Sequence, residues 1–202
     1  MFKKTATALT IALSFTGTLF AGAPMGKEPI FDPFAKGMHE LQIQAGSYFE
    51  FSHEPKINFA DVAVRYGVML TSPEGDGCLR GNFEFLGEAF GAVIFQGPGD
   101  GIAGLTLMLR YNFVQPSAKL VPYFQIGAGG AWNNAHNDAS QRILGSQFTF
   151  NLQSAIGLRY FLNESVALTV EGGWMHLSNA SLSDRNLGLN GAGGAVGVSW
   201  FF

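Results

Sequence analysis

The sequence predicts an all-β chain, an eight-stranded antiparallel transmembrane β-barrel, and three observations carry that expectation. Runs that alternate apolar with polar or small residues, separated by Gly, Pro, Asn, Asp and Ser clusters, recur eight times from about Met38 onward. Only 13% of the 202 residues are charged, against about a quarter in a soluble domain. The chain also opens on an address rather than on structure. Lys3 and Lys4 precede an apolar stretch from Ala6 to Phe20 that ends in Ala21, Gly22 and Ala23, the pattern of a cleaved export signal.

Residues 1–23 are therefore expected to be a signal peptide. The stretch is shorter than the ~20 apolar residues a membrane-spanning helix needs, and no later stretch comes close. Cleavage removes two lysines and no acid, leaving 10 of the 12 basic residues against 15 acidic ones; a chain with this acidic excess offers nothing to nucleic acid. The lone Cys78 cannot close an internal disulfide, and no cysteine follows the cleavage region to carry a lipid. Residues 24–37, with Pro24, Pro29 and Pro33 and no period, read as a periplasmic lead-in to a barrel over 38–202.

The strand runs fall near 39–51, 59–70, 79–94, 102–113, 119–132, 146–162, 165–178 and 188–202. Turn signals such as Gly97-Pro98-Gly99-Asp100-Gly101 and Asn163-Glu164 stand between them. The third run sets Phe83 and Phe85 against Arg80, Asn82, Glu84 and Glu88. In the fifth, Gly127-Ala128-Gly129-Gly130 reads as close strand packing. The sixth sets Phe148, Phe150, Leu152, Ile156, Leu158, Tyr160 and Leu162 against Thr149, Asn151, Gln153 and Arg159, and the last sets Val196, Val198, Trp200 and Phe202 against Gly193, Gly197 and Ser199.

Such alternation fits a soluble barrel with a greasy core or a membrane barrel with a greasy outside. The polar faces decide for the second: they carry Gln, Asn, Gly and Thr with a few opposite charges, Arg80 with Glu84, Arg65 with Asp61, and Glu171, as in a narrow interior filled by hydrogen-bonded polar groups. Tyr111, Phe113, Trp132, Tyr160, Trp174 and Trp200, near strand ends, would form interfacial girdles. An even strand count allows closure, which hydrocarbon demands.

Candidate chemistry is confined to one segment. The histidines, at 39, 53, 136 and 176, have no metal-ligand spacing, and no glycine-rich loop joins a strand to a helix, so neither metal nor organic cofactor is expected. Trp174-Met175-His176-Leu177-Ser178-Asn179-Ala180 ends the seventh run. His176 and Ser178 project to the same face with backbones roughly 6–7 Å apart, so an imidazole there can take a serine proton. That face also bears Val166, Leu168, Val170 and Trp174, the lipid side of the expected barrel, which suits a lipid substrate.

His176-Leu177-Ser178-Asn179-Ala180 resembles the His-x-Ser-Asn motif of the lipid A 3-O-deacylases, outer-membrane esterases built on an eight-stranded barrel. Asn186-Leu187-Gly188-Leu189-Asn190 is similar to the segment that precedes their final strand. The terminal Phe202 is shared by many bacterial outer-membrane barrels. The resemblance implies a bacterial outer-membrane esterase acting on lipid A or lipopolysaccharide amid outer-membrane lipid. In it Ser178 would be the nucleophile, His176 the base and position 190 the third member, with Asn179 orienting groups or helping the oxyanion alongside the 179–181 backbone. It leaves a homodimer open. Where the family has a glutamate this chain has Asn190, which can hold an imidazole tautomer but brings no charge; Asp184, in the loop, is the alternative acid, though its spacing does not demand that role. Glu171, on the opposite face, is expected to pair with an interior arginine. The alternatives are a structural or passive barrel without chemistry, which Asn190 favours, and a soluble ligand-carrying barrel.

Overall fold

Alternate side chains of a strand leave opposite faces, so each predicted run becomes a ribbon with one side for the interior and one for the surroundings. A computed structural model describes residues 32–202. The expected signal peptide and most of the expected lead-in lie outside the described residues. The strands are β1 (His39–Glu50), β2 (Asn58–Met69), β3 (Asn82–Gln96), β4 (Gly101–Asn112), β5 (Leu120–Asn133), β6 (Phe148–Phe161), β7 (Val166–Ser178) and β8 (Leu189–Phe201). They form one closed antiparallel barrel in chain order, sealed where β1 pairs with β8 from Glu40↔Phe201 to Glu50↔Gly191. Residues 51–57, 97–100, 134–147 and 179–188 connect strands at one end, here the loop end; β1 begins and β8 finishes at the other, the terminal end.

β3 starts later than its run suggested. Gly77, with φ +60°, and the short 3-10 turn Gly77–Leu79 interrupt the chain, and Glu74 bridges back to Gly81. Arg80 consequently stays outside the barrel and donates to the Val114 carbonyl at 2.6 Å, so its expected pairing with Glu84 does not form. Arg65 likewise pairs with Glu88 (2.7 Å) and Glu171 (2.8 Å) rather than with Asp61. The expectation for Glu171 holds.

The interior is layered rather than polar throughout. At the terminal end Arg110 and Arg159 share the carboxylates of Glu40 and Glu84. One level up, Arg65 is held by Glu88 and Glu171, and Tyr123 donates to Glu171 at 2.8 Å. Towards the loop end the same inward parity turns apolar: Phe59, Phe90, Ile94, Ile102, Met175, Leu177 and Leu189 form one buried cluster. At the terminal end Phe34, from the lead-in, packs against Phe161 and Phe201 at ring separations of 5.7 and 5.8 Å. Apolar layers thus shield the buried ion pairs above and below, raising the electrostatic stakes of each pair.

Outside, the polarity inverts. Ile156, Val170 and Val196 are more than half exposed at mid-strand, and all six predicted girdle aromatics lie towards strand ends. Tyr111 meets Phe83 and Phe113 edge-on at 4.9 and 5.0 Å at the terminal end, and Trp132 meets Phe148 at 5.4 Å at the loop end. In β5 a Cβ on Gly129 would stand 1.9 Å from the Leu105 carbonyl oxygen, so the glycine run does permit close strand approach.

Two stability predictions follow from this layering. Ile156→Lys, mid-way along β6, is expected to destabilise the bilayer-inserted barrel by ~2–4 kcal/mol and Leu120→Lys, at the terminal end of β5, by about 0–1 kcal/mol. Urea titration of protein in vesicles measures both, and equal losses would rule out a hydrocarbon belt around mid-strand. Arg65→Met leaves two buried carboxylates without their cation, so ~3–5 kcal/mol should vanish in the same titration; a loss under about 1 kcal/mol would mean the ion pairs are not desolvated.

Candidate active site

Adjacent antiparallel strands place cross-strand partners about 4.5–5.5 Å apart on one face, and the loop end of β6, β7 and β8 uses this to assemble the site. His176 is paired with Leu152 on one side and with Asn190 on the other, and Ser178 with Phe150. All five residues point outward, above the apolar belt, while Met175, Leu177 and Leu189 alternate with them inward and are buried. The outward side chains therefore stand on a packed layer.

His176 Nδ1 lies 2.8 Å from Asn190 Oδ1. An amide oxygen only accepts, so Nδ1 carries the proton and the lone pair of the neutral ring is on Nε2. Trp174 stacks on the imidazole from the belt side, centroids 5.8 Å apart and planes 19° apart. On the loop side Gly188, at φ +78°, brings its backbone so near that a Cβ would meet His176 Cε1 at 2.8 Å. Asn190, Trp174 and Gly188 confine the ring from three directions. The structure brings His176, Ser178 and Asn190 onto one face, His176 level with Asn190 and Ser178 two residues nearer the loop.

Asn179 is differently placed. It is buried; its backbone N–H donates to Asn186 Oδ1 at 2.8 Å and its Nδ2 to the Arg185 carbonyl at 3.2 Å. Its donors brace the 179–188 loop. Ala180 and Ser181 follow with φ of +51° and +64°, and Leu182 N–H closes the turn onto the Asn179 carbonyl at 3.0 Å. Asp184 is exposed in this loop beside Arg142, lining a cavity of about 310 Å³. It makes no hydrogen bond to His176 among the described residues; Asn190 occupies that position.

The loop is strapped to its neighbour. Arg185 donates to the carbonyls of His136 (2.9 Å), Asp138 (2.8 Å) and Gln141 (3.2 Å), and Leu187 and Gly188 N–H bond the carbonyls of Arg142 and Ile143, both at 3.0 Å. Lower on the same outer face, Gly194 and Val196 with the neighbouring Ala45 and Ser47 leave a shallow trough of about 490 Å³.

Three residues of the site escaped the sequence reading. Glu50 and Ser52 enter from the β1 end: Asn190 Nδ2 donates to Ser52 Oγ at 3.0 Å, and Asn190 N–H to Glu50 Oε2 at 2.7 Å. No signal in the chain links them to position 190, because the contact exists only through closure. Gly188 was in view as part of the Asn186–Asn190 segment, but not as a wall of the imidazole.

A family model described as Lipid A 3-O-deacylase (PagL) matches residues 60–199, which include the whole His176–Asn190 segment. The chain belongs to this family. Among solved structures, that of the outer membrane enzyme PagL is 16% identical, with a TM-score of 0.57 over 77% of this chain and 97% of that one. Neisserial surface protein A is 14% identical, with a TM-score of 0.58 over 83% and 100%. The N-terminal β-barrel domain of Pseudomonas aeruginosa OprF is 16% identical, with a TM-score of 0.50 over 83% and 98%. At these identities the structural likenesses speak for the fold alone. No curated protein matches the sequence.

Gly188→Ala is expected to destabilise the barrel by ~1–2 kcal/mol through its left-handed backbone and to displace the His176 ring. Urea titration together with the imidazole resonances of His176 in NMR reads both effects. Unchanged His176 resonances would show that Gly188 does not confine the ring.

Proposed function

We propose that this chain is an esterase of the bacterial outer membrane that removes an ester-linked acyl chain, at the 3-O position, from lipid A. The observation that carries the reading is the hydrogen bond from His176 Nδ1 to Asn190 Oδ1, on the outward face that also bears Ser178, in a chain of the lipid A 3-O-deacylase family. Ser178 Oγ attacks the ester carbonyl and its proton passes to His176 Nε2. The tetrahedral intermediate collapses, and the imidazolium returns the proton to the departing sugar oxygen. Water, deprotonated by the same nitrogen, then releases the fatty acid and restores Ser178. The backbone amides of the Ala180–Ser181 bend supply donors to the developing oxyanion.

The location of the site supports a lipid substrate. His176 and Ser178 stand at the loop end, just above the apolar belt, where the sugar and ester groups of a lipid meet its acyl chains. A shallow trough beside Gly194, lower on the same outer face, offers an acyl chain a surface to lie on. In the apo protein Ser178 and His176 are not hydrogen-bonded to one another among the described residues, and such bonds commonly close only when substrate binds. A second reading, a barrel without chemistry, is favoured by Asn190 standing where the family has a carboxylate.

Mass spectrometry of lipid A from cells producing the chain or its Ser178→Ala variant, at equal levels of folded barrel, separates the two. The esterase reading expects one hydroxyacyl mass to be lost with the unaltered chain and retained with Ser178→Ala. Identical lipid A in both would sink it in favour of the passive barrel.

A further inference from the structure

Asn190 brings no charge to the imidazole, yet a carboxylate stands one residue beyond it. Glu50, the last residue of β1, is buried with 4% of its surface exposed, on the inward parity of its strand, opposite Gly191. Its Oε1 accepts from Ser52 N–H (2.6 Å), Ser52 Oγ (2.6 Å) and His53 N–H (3.1 Å), and its Oε2 from Asn190 N–H (2.7 Å). Four donors thus converge on its two oxygens.

These bonds decide which way the Asn190 amide faces. Ser52 Oγ commits its one proton to Glu50, so towards Asn190 it can only accept. The amide must therefore present Nδ2 to Ser52, at 3.0 Å, and Oδ1 to His176, at 2.8 Å. That orientation in turn requires the proton on Nδ1 and the lone pair on Nε2. Were Glu50 neutralised as an amide, its NH2 would face either Asn190 N–H or the Ser52 and His53 donors; the second orientation frees Ser52 to donate towards Asn190 and lets that amide turn its NH2 to the ring, and both remove the charge behind Asn190.

We propose that Glu50 is a positioning residue: through Ser52 and Asn190 it holds the reactive tautomer of His176, and it sets behind Asn190 the negative charge that this amide lacks. The inference rests on the Ser178–His176 reading of the site. Glu50 touches no substrate atom; it acts at one remove.

The test is a double-mutant cycle on the full barrel in detergent with lipid A as substrate, folding being checked by heat-modifiable migration on gels. Glu50→Gln should lower kcat by about 10- to 100-fold, the range met when a partner behind a reactive ligand is removed, with KM little changed. Ser52→Ala, which spares the Glu50 bond to Asn190 N–H, should lower kcat similarly. In an Asn190→Asp background, where a carboxylate meets the imidazole directly, Glu50→Gln should lose less than about 3-fold. Equal losses in both backgrounds, or unaltered kcat in folded Glu50→Gln and Ser52→Ala, would overturn the proposal in favour of a purely structural role. Nitrogen-15 spectra of His176 give a readout independent of turnover: a single Nδ1–H tautomer in the unaltered protein that becomes mixed in Glu50→Gln and in Ser52→Ala. A folded, unaltered barrel that leaves lipid A intact would sink the esterase reading alone. The spectra would then decide the role of Glu50, a tautomer insensitive to both substitutions refuting it.

Discussion

A peptide group surrounded by hydrocarbon has no water to bond, and the seam between β1 and β8 is where this chain meets that constraint. Every other strand pairs with its neighbour in sequence; only this pair must find itself across the whole molecule, Glu40 against Phe201 and Glu50 against Gly191. Once the ring is closed, the parity of each strand is set for its whole length, because a slip by one residue would turn arginines to the lipid and leucines inward. The same seam carries Glu50 and Ser52 to Asn190. The constraint that makes a membrane barrel possible is also the one that completes the site.

Closure leaves a narrow interior that side chains have to fill. Three buried arginines with Glu40, Glu84, Glu88 and Glu171 occupy its lower and middle levels, where removal of one partner would strand a charge. Above them the filling becomes apolar, directly behind the residues proposed to act. Met175, Leu177 and Leu189 are the inward neighbours of His176, Ser178 and Asn190. A reactive constellation on loops would move with them; here strand alternation ties each outward side chain to a buried one, and Arg185 fastens the one loop that touches the imidazole.

How much of this the sequence disclosed follows from the range of each interaction. Strands were legible because alternation is local, and the largest error, the start of β3, came from taking Arg80 as part of the period when Gly77 had already broken it. The shared facing of His176 and Ser178 was legible for the same reason, whereas Asn190 entered through the resemblance alone. The apolar upper interior was not: Phe90, Ile94 and Leu177 lie on the inward parity but resemble lipid-facing residues in type, and only the barrel's own taper of polar groups towards one end distinguishes them. Phe34 sat in a stretch without period, and its role depends on Phe161 and Phe201, more than a hundred residues away. Glu50 likewise reads as an ordinary strand-end acid until the barrel is closed.

That the charge sits at Glu50 rather than at position 190 has a physical logic. Position 190 points outward above the apolar belt, and its amide oxygen is committed to His176. Glu50 points inward, and four donors within 3.1 Å replace the water it has lost. A neutral amide at the lipid boundary, with its orientation set from behind by a buried, hydrogen-bonded carboxylate, keeps the outer face uncharged. On the role proposed for Glu50, Asn190 is the outer end of a relay rather than the loss of an acid, and the pair Ser52–Glu50 is what attention to position 190 alone would pass over.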